Sequence, residues 1–107
     1  MPYTKVKLAE EAAISAFGID REYYFRYKHT LRVEIASIKQ IAYNLARVLG
    51  GCRWRIIAEG MGQKNHSTAV HGANKCFDLI SVDKEFAKIY YQAKELYLKS
   101  LAKTDDN

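Results

Sequence analysis

The placing of the residues that interrupt helices constrains this fold more than any other feature of the sequence. The chain has one Pro, at position 2, and six Gly, and stretches rich in Ala, Leu, Ile, Glu and Lys run between them. These residues have high helix propensity, whereas Gly and Pro mark turns and breaks. The sequence therefore predicts an all-α fold, a helical bundle of about five to six helices.

Two helices are expected near the start of the chain. Apolar residues at spacings of three and four predict a first helix over Val6–Phe17, with Gly18 as its stop. Asp20 is a favoured N-cap residue for a short second helix that contains the aromatic run Tyr23–Tyr27. Aromatic runs also suit strands, so the cap is the main argument for this helix.

The firmest periodicity lies in the middle and at the end of the chain. Apolar residues recur every three to four positions over residues 33–49 and predict the longest central helix, which Gly50 and Gly51 end with a left-handed cap. Either Ser81 or Asp83 caps a final helix. The apolar face predicted for this last helix consists of Phe86, Ile89, Tyr90, Ala93, Leu96, Tyr97 and Leu101.

A short helix, a glycine turn and a second helix follow the central helix. The first covers residues 53–59, the turn contains Gly60 and Gly62, and the second starts after Asn65 as N-cap and runs to about Asp78. This order is typical of a helix-turn-helix that offers its second helix to DNA. Helical hairpins of this kind also occur in many helical domains without that role.

The second of these helices is predicted to have one apolar and one polar face. At 100° per residue the inward positions are Val70, Ala73 and Phe77, with Ala69 and Cys76 at the edge. The outward positions are Ser67, Thr68, His71, Asn74 and Lys75. An outer face without acidic residues suits hydrogen bonds to base edges and phosphates, and Gly72 would leave room for a groove wall.

The positive charge is concentrated in the middle of the chain. The formal net charge is +5, and residues 21–75 contain ten Lys and Arg against three Asp and Glu, a local balance of +7. A basic region of this kind is expected for a polyanionic partner. A solvated basic surface would explain the charge equally well.

Length and hydropathy limit the class of protein. A chain of 107 residues suits one domain over 1–107, with a core over about 8–102 and a frayed tail over 103–107. No run of about eighteen apolar residues and no apolar segment after the charged N-terminus is present, so neither a membrane span nor a signal peptide is expected. A cytoplasmic protein of the nucleoid is the resulting prediction.

Neither metal, cofactor nor catalysis is expected from the residue pattern. Cys52 and Cys76 are isolated and are read as ordinary thiols, and the three His do not join them in a zinc-binding spacing. No carboxylate or nucleophile is placed beside a His for acid-base or covalent chemistry. The chain is therefore predicted not to be an enzyme.

Two segments in register carry a resemblance to a known family. Lys64–Lys75 reads KNHSTAVHGANK and resembles the signature of the C-terminal DNA-binding domain of the bacterial replication initiator DnaA, approximately RDHTTVLHACRK. Upstream, Lys39–Ala42 and Leu45–Leu49 resemble the family's RQ-x-A-x-x-LA-x-x-L helix at the same distance. Weaker similarity covers Ala9–Leu98. The resemblance implies a helical bundle with an embedded helix-turn-helix, related to that of the Trp repressor.

The resemblance also implies which residues contact DNA. The expected base contacts are Lys64, Asn65, His66, Ser67, Thr68 and His71. Phosphate contacts are expected at Lys39 and Gln40, which match the family's Arg-Gln pair, and at Arg32 and Lys75. Among the other basic residues, Arg53 and Arg55 are also expected to contact phosphates. Arg32 stands close to the position where the family places an arginine in the minor groove. Double-stranded DNA is the expected partner, with replication proteins as further partners and a monomer favoured.

The sequence departs from the family at informative positions. Lys64 and Asn65 replace an Arg-Asp pair, and Trp54 and Arg55 replace a Leu-Pro pair. Asn65 either pairs with adenine, where the family's aspartate suits cytosine, or serves only as a helix cap. No GxxxxGK[ST] loop is present, so initiator activity that needs an ATPase is not expected of this chain alone.

Two other functions fit the same pattern. One is a transcriptional regulator of the Trp repressor kind, which would need a dimer and a small-molecule pocket. The other is an interaction or inhibitor module that has kept the fold and uses its basic face for a protein partner.

Overall fold

The structure is a computed structural model that describes residues 1–105. These residues contain six α-helices. They are α1 Thr4–Phe17, α2 Arg21–Tyr27, α3 Val33–Val48, α4 Trp54–Gly60, α5 His66–Val82 and α6 Lys84–Asp105. No strand occurs within residues 1–105. The prediction of an all-α bundle of five to six helices is confirmed.

The first two helices end where the sequence predicts, and α1 begins at Thr4, two residues before the predicted Val6. Gly18 follows α1 with φ of 70°, a left-handed conformation that glycine adopts without steric cost, and its N–H donates to the Ser15 carbonyl. The Asp20 carboxylate accepts a hydrogen bond from the Tyr23 N–H at 3.1 Å and so caps α2. The aromatic run is therefore helical, as the cap predicts.

Two predicted helix lengths are wrong. The longest helix is α6 with 22 residues, whereas α3 has 16. Helix α5 continues four residues beyond Asp78, because no Gly or Pro interrupts it and because Leu79 and Ile80 pack against the core. Of the two candidate caps for α6, the structure selects Asp83, whose carboxylate accepts from the Phe86 N–H at 3.0 Å.

Helix α3 is the centre of the bundle and contacts α1, α4, α5 and α6. Ile35, Ile38, Ile41 and Leu45 are fully buried and recur at the three- and four-residue spacing of one helical face. Each such side chain contributes about 1.5 to 3 kcal/mol through removal from water. Buried residues from all six helices form one hydrophobic cluster.

The predicted core boundaries need small corrections. The core begins at Val6, which is 1% exposed, and not at residue 8. On α6, Phe86, Tyr90, Ala93 and Tyr97 are buried and Ile89 and Leu101 are partly buried. Leu96 does not join them and is 38% exposed, so its predicted place in the core is wrong. The predicted frayed tail is helical as far as Asp105, and its last two residues lie outside the described part.

A buried polar cluster fixes the connection between α2 and α3. The Glu10 carboxylate of α1 lies 2.7 Å from the Lys28 ammonium and accepts a hydrogen bond from the Tyr24 hydroxyl at 2.8 Å. All three side chains are buried. Because Lys28 is the last residue before the loop that leads into α3, this cluster positions the loop relative to the rest of the bundle.

Within residues 1–105 no helix combines the length and the apolar character that crossing a membrane requires.

Candidate nucleic-acid interface

Helices α4 and α5 are joined by a tight turn over residues 61–65. Met61 is fully buried and holds the turn against the core together with Ile57. Gly62 has φ of 78°, which side-chain-bearing residues rarely adopt, and the Gln63 N–H donates to the Ala58 carbonyl at 2.8 Å. The predicted helix, glycine turn and second helix are therefore present.

The first turn of α5 is capped by Asn65, as the sequence predicts. Its Oδ1 accepts a hydrogen bond from the Ser67 N–H at 2.9 Å. No acidic residue lies in this first turn. The start of α5 thus combines the positive end of a helix dipole with side chains that carry no negative charge.

The side chains expected to contact bases lie together at this end of α5. Five of them are exposed and Ser67 is half-buried. The exposed members are Lys64, Asn65, His66, Thr68 and His71. Asn74 and Lys75 continue the same exposed strip along the helix, and Asp78 is the first acidic residue to follow it.

The inner face of α5 is shifted from the predicted one, since Ala69 and Cys76, expected at its edge, are fully buried. Ala69, Ala73 and Cys76 are buried and define the stripe that packs on α3 and α4, and Val70 is half-buried. Phe77 is 52% exposed, so its predicted place in the core is wrong. It stands one residue, or about 100°, beyond Cys76 and so falls outside the buried stripe.

Gly72 serves the packing of α5 on α3. A Cβ at this position would lie 2.7 Å from Cε2 of Tyr43 and closer still to Cδ2. Tyr43 is itself 2% exposed, so its ring fills the space beside the glycine. The space that the sequence suggested for a groove wall is therefore occupied from within the fold.

A cleft of about 340 Å³ lies between α3, the start of α5 and the loop before α3. Its lining includes His29, Leu31, Lys39, Gln40, Gln63 and Thr68, and no carboxylate. The structure therefore brings two predicted phosphate contacts, Lys39 and Gln40, beside a predicted base contact, Thr68.

The two predicted phosphate contacts in this cleft are polar side chains that form few hydrogen bonds or ion pairs with the rest of residues 1–105. Burial, and then the nearby Lys28, lower the pKa of Lys39. The Oε1 atom of Gln40 is buried and has no hydrogen-bond partner within residues 1–105. Polar groups in such surroundings favour a ligand that supplies the missing hydrogen bonds or the opposite charge.

Arg32 lies outside this cleft, on an aromatic surface. Its guanidinium carbon is 4.0 Å from the ring centre of Tyr27, and Nη1 donates to the Tyr23 hydroxyl at 3.0 Å. That hydroxyl in turn donates to Glu34 at 3.0 Å. The pKa of Glu34 is lowered first by a backbone hydrogen bond and then by this tyrosine. The arginine is thus held in a defined orientation while remaining exposed to solvent.

The remaining predicted phosphate contacts lie at the start of α4. Arg53 and Arg55 are exposed, and Arg55 is 3.7 Å from Glu59 in a surface pair of little energetic weight. Arg47 lies 4.9 Å over the Trp54 ring and donates to the Cys52 carbonyl at 3.1 Å. The basic residues of α4 are therefore on the surface but do not line the cleft beside α5.

In the loop before α3 the sequence predicts a DNA contact for Arg32 alone, but the structure also exposes apolar residues beside it. Leu31 is 99% exposed and Val33 is 78% exposed, although both are apolar. Leu31 also joins Lys75 and Gln40 in lining a second cleft of about 380 Å³. Nothing local in the sequence places this loop beside α5, since its position depends on the contact between Lys28 and Glu10 across the bundle.

No group of three or more His, Cys, Asp or Glu within residues 1–105 is placed to hold a metal ion. Cys52 and Cys76 are free thiols, and burial raises the pKa of both, that of Cys76 to about 12. Neither thiol is therefore activated as a nucleophile.

Known proteins give no further assignment. No protein-family model, no curated protein and no solved structure matches the chain. The resemblance to the DnaA domain therefore depends on the two sequence segments described above.

Proposed function

We propose that this chain binds double-stranded DNA in a sequence-dependent manner by placing the start of α5 in the major groove. The observation that carries the proposal is the exposed strip from Lys64 to Lys75, which contains no acidic residue and lies beside a cleft lined by Lys39 and Gln40. As the resemblance implies, the proposed setting is DnaA-box recognition in replication initiation or its regulation, in the cytoplasmic nucleoid.

The chemistry of this strip suits a ligand rich in hydrogen-bond acceptors. Ammonium groups of Lys64 and Lys75 only donate, and the hydroxyl of Thr68 donates as readily as it accepts. The N–H groups at the start of the 17-residue helix α5 add donors and a positive dipole end. Phosphate oxygens and the N7 and O6 atoms of guanine are acceptors only, so DNA matches the strip.

Catalysis forms no part of the proposal. The groups with the most strongly raised pKa values are tyrosines and a cysteine that burial in the core accounts for. They help to pack the helices and do not converge on the cleft beside α5, except for Tyr43, whose ring supports Gly72.

A salt titration with matched charge variants tests the proposal. A labelled duplex that carries a DnaA box is titrated with the protein while salt is raised from about 50 to 200 mM, and we expect affinity to fall roughly tenfold to a thousandfold. Lys75→Gln should weaken binding and reduce the salt dependence by about one counterion. Lys99→Gln is the control, because Lys99 lies beside Ser15 and Ala16 of α1 and not near α5.

Some results of this titration would contradict the proposal, and another would support a different function. Absence of binding at about 50 mM salt, or equal losses from Lys75→Gln and Lys99→Gln, would contradict a DNA interface on α5. A protein that is dimeric in solution and binds DNA only with a small molecule would instead support the Trp repressor type of regulator.

A further inference from the structure

Only one of the two polar atoms of the Asn65 side chain takes part in a hydrogen bond within residues 1–105. Oδ1 accepts the hydrogen bond from the Ser67 N–H at 2.9 Å and so belongs to the cap of α5. No hydrogen bond joins Nδ2 to any residue within 1–105, and the side chain is exposed. The cap therefore leaves Asn65 with two free N–H donors at the surface.

This arrangement limits what Asn65 can recognise. A bidentate contact with adenine needs Oδ1 and Nδ2 side by side on the base edge, with Oδ1 accepting from N6 and Nδ2 donating to N7. Oδ1 has a second lone pair, but the cap turns this oxygen towards the end of the helix. Nδ2 takes no part in the cap. The adenine pairing considered from the sequence would make Oδ1 accept from the Ser67 N–H and from adenine N6 together.

We propose that Asn65 reads DNA as a hydrogen-bond donor only and selects guanine or thymine against cytosine at one position of the binding site. In the major groove guanine offers the acceptors N7 and O6 and thymine offers O4, whereas adenine offers N7 beside its N6 donor and cytosine offers only its N4 donor. The neighbouring Lys64 is exposed and also only donates, which reinforces the preference for acceptors. This inference rests on the proposed binding of DNA through α5.

Three proteins that keep the helix cap test the proposal. Asn65→Asp retains a capping oxygen but replaces the free donor by an acceptor, and Asn65→Ser retains a capping oxygen on a side chain too short to carry that donor outwards. All three residues are favoured N-caps, so the three proteins should melt within a few degrees of one another. A loss of base selection would then not come from an unfolded α5.

The measurement is selection from a randomised duplex library at low salt with each protein. We expect the unmodified protein to prefer guanine or thymine over cytosine at one position by roughly 5- to 150-fold. Asn65→Asp should prefer cytosine at that position. Asn65→Ser should lose the preference there and keep the preferences at the other positions.

Other outcomes overturn the inference in different ways. Identical selected sites for all three proteins would show that Asn65 only caps the helix. Preference for adenine over guanine and thymine in the unmodified protein, lost in both variants, would show that Oδ1 accepts from N6 and that the contact is bidentate. Failure of all three proteins to retain any duplex would overturn the proposed function, and this inference with it.

Discussion

Substitution of Gly72 by alanine tests how α5 is held against α3. The new Cβ would lie 2.7 Å from Cε2 of Tyr43, which is about 0.8 to 1.3 Å inside the carbon contact distance of about 3.5 to 4.0 Å. Tyr43 is 2% exposed, so its ring cannot turn out to solvent without opening the core. We place the overpacking cost at the upper end of the usual range, about 3 kcal/mol. The gain in helix propensity from Gly to Ala offsets about 1 kcal/mol.

The expected net loss is therefore about 2 kcal/mol in the free energy of unfolding, measured by urea denaturation. The control is Asn74→Ala, an exposed position on the same helix, which should stabilise the protein by about 0.5 kcal/mol. Replacing Tyr43 by leucine in the Gly72→Ala background should recover part of the loss, with a coupling of about 0.5 to 3 kcal/mol. If Gly72→Ala stabilised the protein as Asn74→Ala does, the packing described for α5 would be incorrect.

Three further predictions concern the thiols, the buried ion pair and the cleft. In a Cys52→Ser background, Cys76 should resist iodoacetamide at pH 8 and react after unfolding in urea, because it is fully buried and its pKa of about 12 leaves little thiolate; rapid reaction of the native protein would contradict this. Glu10→Ala should lower the free energy of unfolding by about 3 to 5 kcal/mol in urea titrations, because its lysine partner would be left buried and unpaired; a loss below about 1 kcal/mol would contradict the buried pair. Lys39→Ala should weaken binding to all duplexes alike, whereas Thr68→Ala should cost about 1 to 3 kcal/mol of binding free energy mainly on the preferred site. If both variants changed the affinities for preferred and other duplexes in the same way, the assignment of Lys39 to phosphates and Thr68 to bases would be wrong.

Local signals in the sequence were sufficient for most helix boundaries. The capping roles of Asp20 and Asn65 follow from residue type and from the start of an apolar period, and the structure shows both hydrogen bonds. The exposed strip of α5 also follows from periodicity alone, since a helix presents every third or fourth residue on one side. These features depend on contacts within a few residues of chain.

Features that depend on contacts between helices were not predictable in this way. The reason for Gly72 lies in Tyr43, 29 positions earlier, and the place of the loop before α3 depends on Glu10 in α1. The exposure of Phe77 follows from which stripe of α5 faces its neighbours, and an ideal helical wheel leaves that stripe uncertain by about one residue. The stacking of Arg32 on Tyr27 likewise joins two helices across a loop.

The most direct test of the proposed interface is a map of backbone amide NMR shifts as an unlabelled duplex carrying a DnaA box is added to isotope-labelled protein. We expect the largest changes in residues 64–75 and 29–40, which form the exposed strip of α5 and the cleft beside it, with small changes in residues 84–105 of α6. Changes confined to α6 or to the outer face of α1, or no changes at low salt, would contradict DNA binding through α5.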